Sequence, residues 1–165
     1  MSSKLKIFTG VAIAALFIAI YFYTQVDWEV RTIRKNFSEL VELVEKDGPV
    51  SSFEAIARSR QLTAVFTKDA RVEYLAGRSL PRGRDEMGRA FLAVWAKVDT
   101  VKISVLRHDV ELSDSALEAS SRVSVNCTVV IEGNDRMRDA VEYRIYWQKV
   151  GGDWLIGEIV AVNRM

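Results

Sequence analysis

LEASSRVSVNCTVVI, residues Leu117–Ile131, alternates in steps of two. Leu117, Ala119, Ser121, Val123, Val125, Cys127, Val129 and Ile131 fall on one side, and Glu118, Ser120, Arg122, Ser124, Asn126 and Thr128 on the other. Successive side chains of a strand point to opposite faces, so the pattern predicts a long strand with one apolar face. The neighbouring segments repeat it. Upstream, Val101, Ile103 and Val105 alternate before the apolar phase slips to Leu106, Val110 and Leu112, which predicts a bulge near Val105–Arg107. Ser113-Asp114-Ser115 makes the intervening turn. Downstream, Gly133-Asn134-Asp135 turns the chain into Met137–Val150, where Val141, Tyr143, Ile145 and Trp147 share a face. Gly151-Gly152-Asp153 is a hairpin signal, and Trp154–Val162 completes the set. One-sided antiparallel strands of this length bury their apolar faces best as a bent sheet wrapped around helices.

The helices precede that sheet. Val30, Ile33, Phe37, Leu40 and Val44 recur at three- and four-residue steps and predict a helix over Asp27–Lys46, stopped by Gly48-Pro49. Ser51 and Glu54 form a capping-box pattern that opens a second helix running to about Phe66. Thr67-Lys68-Asp69 breaks it, Ala70–Leu75 reads as a short strand and Gly77–Gly83 as a loop. Asp85 and Glu86 start a third helix whose apolar face is Met87, Phe91, Val94, Trp95 and Val98. Helices first, then hairpin-linked strands, is an α+β plan.

Ahead of all this lies IFTGVAIAALFIAIYFYTQV, Ile7–Val26, which carries no charged side chain. As a helix it is about 30 Å long, the thickness of a bilayer's hydrocarbon core. It exceeds the hydrophobic region of a cleaved signal peptide, and its exit, Tyr21-Phe22-Tyr23, has interfacial aromatics and no small-x-small site. The expectation is a single-pass signal anchor. It divides the chain into residues 1–26, a cytoplasmic tail and transmembrane helix, and residues 27–165, one domain. Lys4 and Lys6 favour an inside amino terminus, which places the domain on the periplasmic side of a bacterial inner membrane. The domain helix begins at Asp27 with no Gly/Ser or Pro-rich linker, so anchor and domain are expected to run together.

Composition narrows the partners. The 165 residues hold 23 Lys and Arg against 22 Asp and Glu, and two of the cations, Lys4 and Lys6, belong to the tail and anchor. The rest of the chain is one charge negative, which argues against a nucleic-acid partner, since that needs a basic face. Cys127 is the only cysteine and His108 the only histidine, so neither an intrachain disulfide nor a multi-cysteine zinc site is available, and no metal or cofactor is expected.

FTKDARVEY at Phe66–Tyr74, followed by PRGRDEMGRAF at Pro81–Phe91, resembles the signature of the nuclear transport factor 2-like superfamily in its SnoaL-like and ketosteroid-isomerase-like branches. YRIYWQKVGGDWLI at Tyr143–Ile156 is similar to that family's last hairpin. The resemblance covers about Asp27–Asn163. It implies a cystatin-like α+β cone of about three helices packed in a strongly bent antiparallel sheet, often with a pocket at its open end. Isomerases, cyclases, dehydratases, transport adaptors and assembly subunits share the fold, so activity has to be argued from the site.

An enzyme of this fold needs a proton carrier and a second polar group inside the cone. Two residues are candidates. Asp69 stands at the helix-to-strand junction and reads either as a proton carrier or as a carboxylate capping that junction. His108 shares phase with Leu106 and Val110, so it points inward as a titratable group or as a satisfied core residue. Tyr74, Trp95 and Tyr143 are pocket candidates and equally good core aromatics. Arg78, Arg82, Arg84 and Arg89 cluster before the third helix as an anion site or a solvated loop. The inward faces carry few polar interruptions, and no GxGxxG, P-loop, HExxH or GxSxG motif occurs. The leading expectation is therefore a membrane-anchored interaction or scaffold domain that pairs with a protein partner or a second copy through Arg122, Ser124, Asn126, Thr128, Glu142, Arg144, Tyr146 and Gln148. The alternative is a small apolar ligand site or an isomerase/cyclase-like activity in the cone, with Asp69 or His108 carrying the proton.

Overall fold

The computed structural model describes the backbone of residues 3–131 and 135–164, and the side chains of residues 15–21, 23, 24, 26–131 and 135–162. Helix α1, Ser3–Val44, runs without a break from the apolar run into the domain. Its apolar stripe delivers Ile33, Phe37 and Leu40 to the core. Before Glu29 the character changes: Leu16, Phe17, Ile18, Ile20, Tyr21, Tyr23, Val26 and Trp28 are all exposed. Among the described residues no helix is long and apolar enough to cross a membrane. The anchor expected at Ile7–Val26 is thus unsupported by the structure, and the side chains of residues 7–14, 22 and 25 lie outside the described residues.

The short strand β1, Lys46–Asp47, follows, then α2, Ser52–Ala64. Ser51 caps α2 by accepting the Glu54 N–H at 3.2 Å. Only this half of the capping box forms, because the Glu54 carboxylate turns along the helix to Arg58, 2.9 Å away. Strand β2, Phe66–Leu75, starts four residues earlier than the sequence predicts, and β3, Arg78–Ser79, lies within the predicted loop. Helix α3, Arg84–Trp95, packs on α2 at Gly88, whose hydrogen leaves room for a neighbour: a Cβ there would stand 3.0 Å from Thr63 Cγ2. Ser59 donates to the Gly88 carbonyl at the same crossing. Val94, read as part of the buried face, is 58% exposed; Trp95 and Met87 hold that face instead.

Four long strands follow: β4, Val98–Leu112; β5, Glu118–Ile131; β6, Asp135–Val150; and β7, Asp153–Arg164. The sheet order is β1-β4-β5-β6-β7-β2-β3. The predicted bulge is present, with register shifting between Val105 and Arg107. Leu106, assigned to the inner phase, is 58% exposed, since the bulge returns the inward phase only at His108 and Val110. The tight turn at Gly151-Gly152, both with positive φ, closes β6 onto β7. The predicted turn at 133–134 lies outside the described residues. One expectation is corrected. The sheet is mixed, not antiparallel, because β2 pairs parallel with β7. Parallel neighbours need a long crossover, and α3 with the β4–β7 meander supplies it.

The sheet curves around the helices and buries Val123, Ile145, Trp147, Trp154 and Ile156 to 1% exposure or less. Each such side chain contributes roughly 1.5–3 kcal/mol on burial. Ser121, the polar residue in the β5 face, accepts the Trp147 indole N–H at 2.9 Å. Glu29 is the buried carboxylate of the domain and receives hydrogen bonds from Lys149 Nζ and Trp154 Nε1. Asn36 Nδ2 donates to the Trp154 carbonyl at 3.2 Å, so α1 is fastened to the β6–β7 hairpin at two levels.

Candidate functional site

Register places His108, Val123, Tyr143 and Ala161 in one row across β4, β5, β6 and β7. Adjacent strands lie about 4.8 Å apart, so His108 and Tyr143 stand roughly 10 Å from each other over Val123. Burial falls along β5 from this row toward the β5–β6 turn: Val123 and Val125 are buried, whereas Cys127, Val129 and Ile131 are half-buried. There Cys127, Val129 and Ile131 pack against the second cluster, around Trp95, Val98 and Val101.

His108 is held edge-on against Phe37, with ring centroids 4.7 Å apart at 61°. Its Nε2 is buried and has no hydrogen-bond partner among the described residues. A buried polar nitrogen left unsatisfied costs about 1–3 kcal/mol, which stable folds tolerate mainly where it serves a purpose. Burial, with the Arg34 guanidinium adding to it and Asp109 opposing it, pushes the imidazole pKa down to about 4. The ring is therefore neutral at ordinary pH and presents an acceptor or a base. Tyr143 donates its hydroxyl to the Tyr74 carbonyl at 3.0 Å. Burial raises its pKa, helped by the neighbouring Cys127 and Asp139. Burial also raises the pKa of Cys127, again with Asp139 contributing, which keeps the thiol protonated and unreactive.

A pH consequence follows with a fixed sign. Between pH 6.5 and about 4 the unfolded chain takes up a proton at His108 that the folded chain refuses. Folding stability is thus unaffected by this group above pH 6.5, falls as pH drops through the window, and levels off below about 4. Denaturant midpoints measured across that range are expected to show this one-proton slope, and a His108→Leu variant to lack it.

The remaining candidates are dispersed. Asp69 is exposed and lines a groove on the outer face of the sheet, far from the inward-facing row, so it does not act with His108. The Tyr74 side chain is 40% exposed and contributes its carbonyl to the row. Trp95 is buried in a second cluster with Val98 and Val101; its indole donates to the Val44 carbonyl, and Lys46 and Arg58 approach its ring. Arg84 donates to the Phe66 carbonyl and Arg82 to the Asp69 carbonyl, while Arg89 pairs with Glu86. Two of the four arginines are thus fasteners of β2. Sequence reading missed Arg34 and Phe37 as neighbours of His108, and Asp139, which continues the inward phase two residues before Val141 and stands opposite Cys127. Among the described residues no group of His, Cys, Asp and Glu is arranged to hold a metal ion.

No protein-family model and no curated protein matches the chain. Solved structures do. A candidate scytalone dehydratase of Novosphingobium aromaticivorans superimposes with a TM-score of 0.64 at 17% identity, covering 83% of this chain and 86% of that one. A type 2 hexachlorocyclohexane dehydrochlorinase gives 0.65 at 16% identity over 82% and 86%. A candidate dehydratase of the NTF2-like family from Streptomyces avermitilis gives 0.65 at 11% identity over 82% and 96%. The domain therefore has the α+β cone fold of the nuclear transport factor 2-like proteins. At these identities the likeness is one of fold.

Proposed function

We propose that the domain takes a small, largely apolar compound against the inner face of its sheet and acts on it by proton transfer at His108, in the manner of an isomerase or a dehydratase-like lyase. The observation that carries this reading is the Nε2 of His108, buried on a neutral ring and without a partner among the described residues. Val123 and Phe37 supply apolar walls, and Tyr143 marks the far end of the row. A neutral imidazole is the form a general base requires; its low basicity fits a substrate proton already acidified by a carbonyl or a neighbouring leaving group. The named activities of two fold neighbours, dehydration and dehydrochlorination, are eliminations of that kind. This reading replaces the scaffold as the leading one, because the named activities of the fold neighbours favour a small-molecule site in the cone. The test is a panel of cyclic β-hydroxy ketones and chlorinated alicyclic compounds, followed by absorbance of the conjugated product or by chloride release. Turnover that disappears in His108→Gln supports the reading; turnover unchanged by that variant overturns it.

The same reading retains Ile7–Val26 as a membrane anchor. Its support is the charge-free apolar run in the sequence. Expressed whole, the chain is expected to stay with membranes through alkaline carbonate extraction. Release into the supernatant would remove the anchor from the proposal.

A further inference from the structure

A groove of about 780 Å³ lies on the outer face of the sheet, on the side opposite His108. Its origin is a double misregister at one residue. On β7, Ile156 and Glu158 pair with Trp147 and Tyr146, consecutive residues of β6, so Gly157 is the extra residue of a bulge. On the other side Ile156 and Glu158 pair with Phe66 and Arg71, so β2 loops outward over Thr67–Ala70 at the same level. Both neighbours of β7 part from it at Gly157, where a Cβ would meet the Gln148 side chain at 3.4 Å. Bulges of this kind re-aim side chains, and a strand glycine leaves its backbone open to close approach.

The loop in β2 is pinned. Gly83 N–H donates to the Ala70 carbonyl, Arg82 Nε to that of Asp69, and Arg84 to that of Phe66. The wall so formed carries Lys68, Arg71, Arg82 and Arg84. Facing it are Glu118, Glu158, Gln148 and Tyr146, the last of these 39% exposed. Although four cations and three carboxylates line the groove, none of them forms an ion pair among the described residues. Among the described residues the side chains of Lys68 and Arg71 use none of their donors, in a concavity whose volume suits a small molecule. The backbone bonds of Arg82 and Arg84 fix the guanidinium planes and leave other N–H groups for a ligand, an arrangement matched to the oxygens of a carboxylate or phosphate.

From the concave shape, the unpaired cations and the exposed tyrosine ring, we infer that this groove is a second ligand site, separate from the cone, for a small organic oxyanion with a flat apolar part. Lys68 and Arg71 take the anionic group and Tyr146 faces the flat part. The site stands independently of the proposed reaction, since its residues lie on the other side of the sheet from His108.

The test uses the full chain in detergent, with phenyl phosphate, benzoate and inorganic phosphate as probes at constant ionic strength. Backbone amide shifts of Gly157 and Lys68 are followed by NMR. Saturable shifts with phenyl phosphate or benzoate are expected, weaker with inorganic phosphate, which lacks the ring. Arg71→Ala and Lys68→Ala are each expected to weaken binding by about tenfold or more. Glu158→Gln is expected to strengthen it, a change that misfolding does not imitate. Arg78→Ala, outside the groove, and His108→Gln, inside the cone, are expected to leave it unchanged. Shifts that do not saturate, that chloride reproduces at equal ionic strength, or that Arg71→Ala and Glu158→Gln leave unaltered would overturn the site.

Discussion

A His108→Leu chain is expected to be more stable than the natural protein and to lose about 10²–10⁴-fold in turnover. The two effects have a common origin. The imidazole brings a buried nitrogen that no described protein group satisfies, and an apolar side chain of similar size against Phe37 removes that penalty of about 1–3 kcal/mol. The same change removes the proposed base, and general acid–base groups contribute about 10²–10⁴-fold. Opposed movement of stability and activity marks a group kept for function at the expense of the fold. Thermal or denaturant melting alongside the elimination assay reads both. A variant less stable than the natural chain would make His108 a packing residue; one that keeps turnover would place the chemistry elsewhere. Because this is the only histidine, its titration by NMR is read from a single imidazole, and a midpoint near 6.5 in place of about 4 would contradict the burial argument.

The second large effect lies at the hairpin. Trp154→Ala is expected to cost about 3–5 kcal/mol, the usual range for deleting a buried indole. That is a large share of the roughly 5–15 kcal/mol that stabilises a domain. The loss has three parts here. Trp154 is 1% exposed, so a cavity opens; its indole no longer donates to Glu29; and the Lys149 ammonium loses the ring it approaches at 5.7 Å. Burial by itself raises the Glu29 pKa, but hydrogen bonds from Lys149 and Trp154 and the Lys149 charge outweigh it and hold the carboxyl below its ordinary value. Its contribution is therefore present above about pH 4.5 and is lost as pH falls through the lowered folded value. In Trp154→Ala one of those donors is gone, so acid stability is expected to deteriorate along with the denaturant midpoint. Glu29→Gln keeps an acceptor for the indole and is expected to lose less. Equal midpoints for natural and Trp154→Ala chains would show that the clamp carries no weight.

Local signals made most of the fold legible. The two-residue alternation of β4 to β7, the slip at Val105–Arg107 and the Gly151-Gly152 turn are properties of contiguous residues, and the structure reproduces them. The parallel pairing of β2 with β7 was not legible, because it joins Phe66 to Ile156, far apart in the chain, with Arg84 from the start of α3 bonded to the Phe66 carbonyl. Val94 misled because α3 buries a narrower stripe than its apolar content implies. At the site, the phase assigned to Leu106, His108 and Val110 pointed His108 inward although Leu106 itself faces out, whereas Phe37 and Arg34 come from the first helix and no nearby residue announces them. Asp69 has the right chemistry for a proton carrier, but the β2 loop turns it to the opposite side of the sheet.

The parallel pairing also bears on the order in which the domain is made. Phe66 emerges from the ribosome long before Ile156, yet β2 has its main-sheet partner only in β7, so its edge stays open until β7 has been made. Closing so long a loop is entropically expensive and is deferred to late in folding. The β4–β5–β6 meander can form during synthesis; the seal between the first half and the second cannot. The nascent chain spends that interval with the edge of β2 unpaired, the stage at which a chaperone or a neighbouring chain has its best access.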